Sequence, residues 1–139
     1  MSFTRRDTLV MGAGAAAAAM LPMPGLAGAW EDAIAAFADG GEITDGGVEF
    51  TAPEIAENGN TVPISVSAPG AVAIAVFAAG NPNPEVVEFE FGPLAGSQSG
   101  STRCRLAATQ DLYALAKMPD GSVRQAIATV KVTIGGCGG

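Results

Sequence analysis

From Gly47 to Ile134 the chain is cut into short runs of alternating or continuous apolar residues, separated by glycine, proline and asparagine. "VVEFEFG" sets Val87, Phe89 and Phe91 on one side and Glu88 and Glu90 on the other, the two-residue period of a pleated strand. "STRCRLAAT" alternates as well, with Arg103 and Arg105 outward and Cys104 and Leu106 inward. "AVAIAVFAAG" is continuously apolar and rich in Val and Ile, as a strand buried on both faces would be. "GGVEFTAP" and "TVPISVSAPG" are further strands, and Pro63 in the second predicts an edge or a bulge. "QDLYALAKM" and "SVRQAIATVKVTI" flank Pro119-Asp120-Gly121, whose Asp-Gly step is a hairpin signal. "ENGN" and "NPNP" read as turns.

Seven or so strands, with turn signals roughly every 8–14 residues, predict an all-β sandwich. One helix signal precedes them. In "AWEDAIAAFADGG", Trp30, Ile34 and Phe37 fall at i, i+4 and i+7, and Gly40-Gly41 supplies a stop. The expectation is a short N-terminal helix packed over one end of a single domain. No internal repeat and no dividing linker is visible in the sequence.

The first 29 residues read differently. "TRRDTLV" pairs Arg5 with Arg6, a weakly apolar run follows, and Ala27-Gly28-Ala29 offers a small-residue cleavage site. This is the order of a secretory leader, and the arginine pair makes it a twin-arginine one. The apolar run is too short for a bilayer span of ~20 residues, and Pro22 and Pro24 interrupt it. The expected division is therefore a leader at 1–29 that is removed, an immunoglobulin-like β-sandwich domain at 30–134 and a flexible tail at 135–139. Cleavage after Ala27 is the alternative to cleavage after Ala29. The expected location is the periplasm, with no membrane anchor after cleavage.

Net charge falls from −7 to −8 once Arg5, Arg6 and Asp7 leave with the leader. An acidic chain with five remaining basic residues is poorly suited to nucleic acid or an anionic membrane. Histidine is absent altogether, which removes the commonest general base and metal ligand and any Ser-His or Cys-His pair. Two cysteines without histidine cannot build a structural zinc site. The inventory argues against a self-sufficient enzyme and predicts no cofactor and no metal.

The chemistry gathers at the other end, in "VKVTIGGCGG". Gly135, Gly136, Gly138 and Gly139 surround Cys137, making a flexible arm on the end of the last strand, roughly 123–134. Extended backbone carries Cys137 about 10 Å beyond Ile134. A free thiol has a pKa of about 8.5, and no basic residue stands beside Cys137 to lower it, so activation is expected from a partner that receives the arm. A thiol holds sulfur reversibly as a disulfide-like or persulfide adduct, which suits Cys137 to covalent substrate attachment. A Cys104–Cys137 disulfide is the competing reading. It would have to draw the glycine tail toward the apolar side of the Cys104 strand.

With the terminal "GGCGG", the blocks "PEIAENGNTVPISV", "NPNPEVVEFEFGP" and "STRCRLAATQDLYALAKMPDGSV" and the twin-arginine leader make the chain similar to the Y-subunit family of the Sox (thiosulfate-oxidising) system. The resemblance spans the whole mature chain. It implies an immunoglobulin-like β-sandwich, a heterodimer with a SoxZ-like subunit, and sulfur intermediates carried on Cys137. It also implies a sequence of partners. A c-type haem enzyme (SoxAX) joins thiosulfate to the thiol, and a dimanganese hydrolase (SoxB) releases sulfate. A molybdenum-haem sulfane dehydrogenase (SoxCD), where present, oxidises the remaining sulfur. Cys104 departs from the family pattern, which has an aliphatic residue there, usually isoleucine.

Two other classes compete. A ubiquitin-like carrier uses a terminal Gly-Gly as a thiocarboxylate, which needs a compact fold with a prominent mid-chain helix. A secreted Ig-like structural module would use the tail cysteine for an intermolecular disulfide.

Overall fold

The computed structural model describes residues 28–135. The helix α1 (Ala29–Ala38) starts the described chain, with Glu31 and Asp32 in its first turn, where the helix dipole favours acidic groups. It ends as Asp39 enters the left-handed region at φ 47 and Gly40 follows at φ 79. The Gly40-Gly41 stop is therefore reached one residue early.

Nine strands follow among the described residues: β1 (Ile43–Asp45), β2 (Glu49–Thr51), β3 (Ile55–Asn58), β4 (Val62–Ser67), β5 (Ala73–Ala78), β6 (Glu85–Glu90), β7 (Ser99–Cys104), β8 (Gln110–Lys117) and β9 (Val123–Ile134). One sheet runs in the order β1-β9-β8-β5-β6, with β3 also against β9; the other runs β2-β4-β7. The 12-residue β9 organises the first sheet. One edge pairs antiparallel with β8, while the other takes β1 in parallel near Val123 and β3 in parallel near Lys131.

The main core lies between the two sheets. Val62, Ile64, Val66, Ile74, Val76, Leu106, Leu112 and Val130 are buried there, each worth roughly 1.5–3 kcal/mol of transfer free energy. The sheets close tightly where β7 passes β6. A Cβ on Gly100 would come within 2.6 Å of the Phe89 ring, closer than such contacts pack.

A second cluster puts α1 on the outer face of the larger sheet, not over one end of the domain. Ile34 and Phe37 pack with Ala73, Ala75, Phe77, Leu115 and Val123. Trp30 stacks on Tyr113 with ring centroids 4.7 Å apart, and Lys117 Nζ lies 4.8 Å over the Phe37 ring. Hence β5 is buried at all six positions, between the sandwich core and the helix. That is the physical reason for its unbroken apolar run.

The Asp-Gly step does form a hairpin, joining β8 to β9 with Lys117 opposite Val123. Gly121 N–H donates to Met118 O at 3.0 Å, and Gly121 takes φ 90, the three-residue loop with a left-handed glycine. Asp120 Oδ1 accepts from Ser122 N–H at 3.0 Å and Ser122 Oγ–H at 2.6 Å. Pro63 stands on the middle strand of the smaller sheet, yet β2 pairs only with Ser65–Ser67. At Pro63 the strand has one neighbour and is locally an edge.

Candidate functional site

The sandwich delivers β9 to a single exit point. Ile134 is the last strand residue, opposite Asn58 of β3, and its carbonyl accepts from Gly59 N–H at 2.7 Å. Gly59 O in turn accepts from Leu106 N–H at 2.8 Å. The end of β9 is thus tied through one turn residue to the segment after β7. Two residues earlier, Val132 N–H donates to Thr109 Oγ1 at 2.9 Å. Thr109 belongs to the same irregular segment, 105–109, which connects β7 to β8.

Gly135, the first residue of the expected arm, lies against this segment. A Cβ built on it would collide with the carbonyl oxygen of Ala107. Gly135 therefore has a steric reason to be glycine in addition to the flexibility expected of the arm. Gly136, Cys137, Gly138 and Gly139 lie outside the described residues, as do residues 1–27 with the Arg5-Arg6 leader.

Cys104 is placed as its alternation indicated. It is 7% exposed, faces the main core opposite Val62, and is a free cysteine with no disulfide to a described residue. Burial pushes its thiol above the ordinary value, against a smaller opposing pull from a backbone hydrogen bond. It is also one of the residues lining a cleft of about 340 Å³, with Asn81, Asn83, Glu85, Arg103 and Arg105. A buried thiol kept neutral is a poor nucleophile.

Among the described residues no group of three or more His, Cys, Asp and Glu side chains is arranged to hold a metal ion. None of their helices is long and apolar enough to cross a membrane. Every buried side-chain nitrogen or oxygen among them has a hydrogen-bond partner. Sequence reasoning missed two polar residues near the exit, Asn81 and Gln110. Gln110 is the buried polar residue of the described chain, 8% exposed. Its one sequence signal is an uncharged polar group at an inward position of "QDLYALA".

Comparison with known proteins adds the following. A solved structure of the sulfur carrier protein SoxY from Chlorobium limicola f thiosulfatophilum is 37% identical, with a TM-score of 0.66, over 75% of this chain and 96% of that one. A superoxide reductase (neelaredoxin) from Ignicoccus hospitalis is 20% identical with a TM-score of 0.55, over 63% and 80% of the two chains. A putative superoxide reductase from Thermotoga maritima is 19% identical with a TM-score of 0.52, over 69% and 89%. The two reductases share the fold alone. No curated protein sequence matches. The family model described as sulfur oxidation protein SoxY matches residues 34–137, nearly the whole described domain and the position of Cys137. The chain belongs to the SoxY family.

Proposed function

We propose that this protein is a covalent carrier of sulfur intermediates in thiosulfate oxidation, with the cargo held on the thiol of Cys137. One observation carries the reading: a lone sulfur flanked by four glycines, joined to a strand whose last carbonyl is hydrogen-bonded into the body of the sandwich. The body supplies a rigid base, and the terminal residues supply a reactive atom with no bulky neighbour. The chain's other thiol, Cys104, is buried in the core.

In the loading step a sulfur–sulfur bond forms between Cys137 and the sulfane sulfur of thiosulfate. The thiol proton leaves to solvent, and two electrons pass to the c-type haem enzyme. In the release step water attacks the terminal sulfonate sulfur, sulfate and two protons leave, and the carrier retains a persulfide anion. The sulfane dehydrogenase then takes six electrons from the outer sulfur while three waters supply its oxygens and release six protons, leaving a cysteine S-sulfonate; a further water cleaves the sulfur–sulfur bond, so that sulfate and a proton leave and the thiol is restored. Every redox centre belongs to a partner. The carrier contributes attachment and presentation and is not itself an enzyme. The same reading gives it a SoxZ-like heterodimer partner, and export by the twin-arginine route places it in the periplasm.

Cys137→Ser tests the attachment point. Thiosulfate-dependent turnover in a reconstituted system should be abolished, while the thermal midpoint stays close to wild type, because a residue beyond the last strand contributes little packing. Turnover at the wild-type rate would rule the reading out.

A further inference from the structure

The segment 105–109 is neither strand nor helix, yet its backbone is pinned by two side-chain amides, Asn81 from the turn after β5 and Gln110 from the first position of β8. Asn81 Nδ2–H donates to Arg105 O at 2.7 Å, and Asn81 Oδ1 accepts from Ala107 N–H at 3.0 Å. Gln110 Nε2–H donates both to Asn81 Oδ1 at 2.8 Å and to Ala108 O at 2.9 Å. Gln110 Oε1 accepts from Gly80 N–H at 2.9 Å, which fixes the turn that carries Asn81. Partly buried, mutually satisfied amides of this kind rigidify what they hold. What they hold is the carbonyl of Ala107, on which Gly135 lies.

We propose that Asn81 and Gln110 are positioning residues for the carrier arm, forming with Gly59 and Ala107 a collar that fixes the arm's root at Gly135. The inference rests on the carrier reading and adds to it a direction and a length. The root of the arm is then set at Gly135, against Ala107, and not at Ile134. Cys137 is then two residues from a fixed point, about 7 Å of extended backbone, instead of three residues from the strand end. So short an arm obliges any enzyme that takes the thiol to bring its mouth against the collar. The "ENGN" and "NPNP" turns and the end of the β7–β8 connection thereby acquire a common task. Gly59, Asn81, Thr109 and Gln110 come from these three places, and each hydrogen-bonds to the backbone of the 105–109 segment or of the end of β9.

Gly135→Ala and Asn81→Ala test this in the full chain with its partner subunit. The first inserts a methyl group against Ala107 at an exposed strand end, where it cannot disturb the core; the second frees the segment. Enzyme-dependent thiosulfate loading should slow about 10–100-fold in both, the usual consequence of an ångström-scale misplacement. The loss should fall on kcat, with KM nearly unmoved. Alkylation of Cys137 by iodoacetamide should keep the wild-type rate, because a small reagent needs no aim. Independently of turnover, the distance distribution between nitroxides on Cys137 and on a Glu42→Cys variant, measured in a Cys104→Ala background, should broaden in Asn81→Ala. Should Asn81→Ala fail to fold, Gly135→Ala decides alone. Wild-type loading by Gly135→Ala, or an unchanged distance distribution in folded Asn81→Ala, overturns the collar. If Cys137→Ser loads normally, the carrier reading fails, and the distance distributions alone judge the collar.

Discussion

Cys104 and Cys137 are the same residue type in different sequence settings, one on an alternating strand and one between glycines. Cys104 sits in the sandwich core with its thiol pushed up by burial, so it should resist iodoacetamide in the native state and react on unfolding. Rapid native labelling, followed by peptide mass mapping, would contradict this. Because its folded pKa lies above the unfolded value of about 8.5, its contribution to stability is complete below that pH. The contribution is lost as pH rises through the folded value. Cys104→Ala should therefore flatten the alkaline arm of the stability profile, read as thermal midpoint against pH. Cys104→Ile should fold at a cost of no more than ~1–3 kcal/mol, the usual range for a larger apolar side chain in a packed core. Asp120 behaves in the opposite sense. Hydrogen bonds from Ser122 hold its carboxyl below the usual range, so its stabilisation of the hairpin is present above the ordinary carboxylate pKa. It fades as pH falls through the depressed one, and Asp120→Asn should remove that acid dependence.

At the scale of elements, β9 and its exit separate the roles of adjacent glycines. Replacing Gly135 and Gly136 together with proline would stiffen the arm, but it would also drive atoms into Ala107 at the first position. Gly136→Pro alone is the cleaner test of flexibility. It should leave alkylation of Cys137 unchanged and slow turnover with every downstream enzyme, since all must accommodate the same backbone. Equal rates for Gly136→Pro and wild type would mean that the glycine's freedom is not what the arm needs. Much of the strand pattern was readable in advance. The alternation in "VEFEFG" and "TRCRL", the Asp-Gly hairpin and the doubly buried "AIAVFA" each reflect a local period or turn. The strands β1 and β3 were not readable. They are three and four residues long, and they exist because β9, far along the chain, leaves one edge free for parallel pairing. Nor was the collar: the hydrogen-bonding partners of Asn81 lie 24 to 29 residues away, where no sequence window reaches. The four arm glycines were visible as a composition, but the contact of Gly135 with Ala107 needed coordinates.

At the scale of the whole molecule, the two clusters divide the labour. The inter-sheet core makes the rigid base, α1 seals the outer face of β5, and β9 runs 12 residues from the hairpin to the exit. The helix lies before the first strand, not at mid-chain, so the sandwich has none of the layout a ubiquitin-like thiocarboxylate carrier requires. A structural module joined by tail disulfides would show an active, stable dimer on non-reducing gels. A carrier would lose activity on dimerising, because the attachment atom is then consumed. Intact mass spectrometry of the mature protein tests the central claim most directly. After incubation with thiosulfate and the oxidising haem enzyme, the account predicts a reductant-labile adduct of sulfur composition that maps to Cys137 and is absent from Cys137→Ser. An adduct on the Gly139 carboxylate that survives that substitution, or no adduct in a turning-over system, would contradict it.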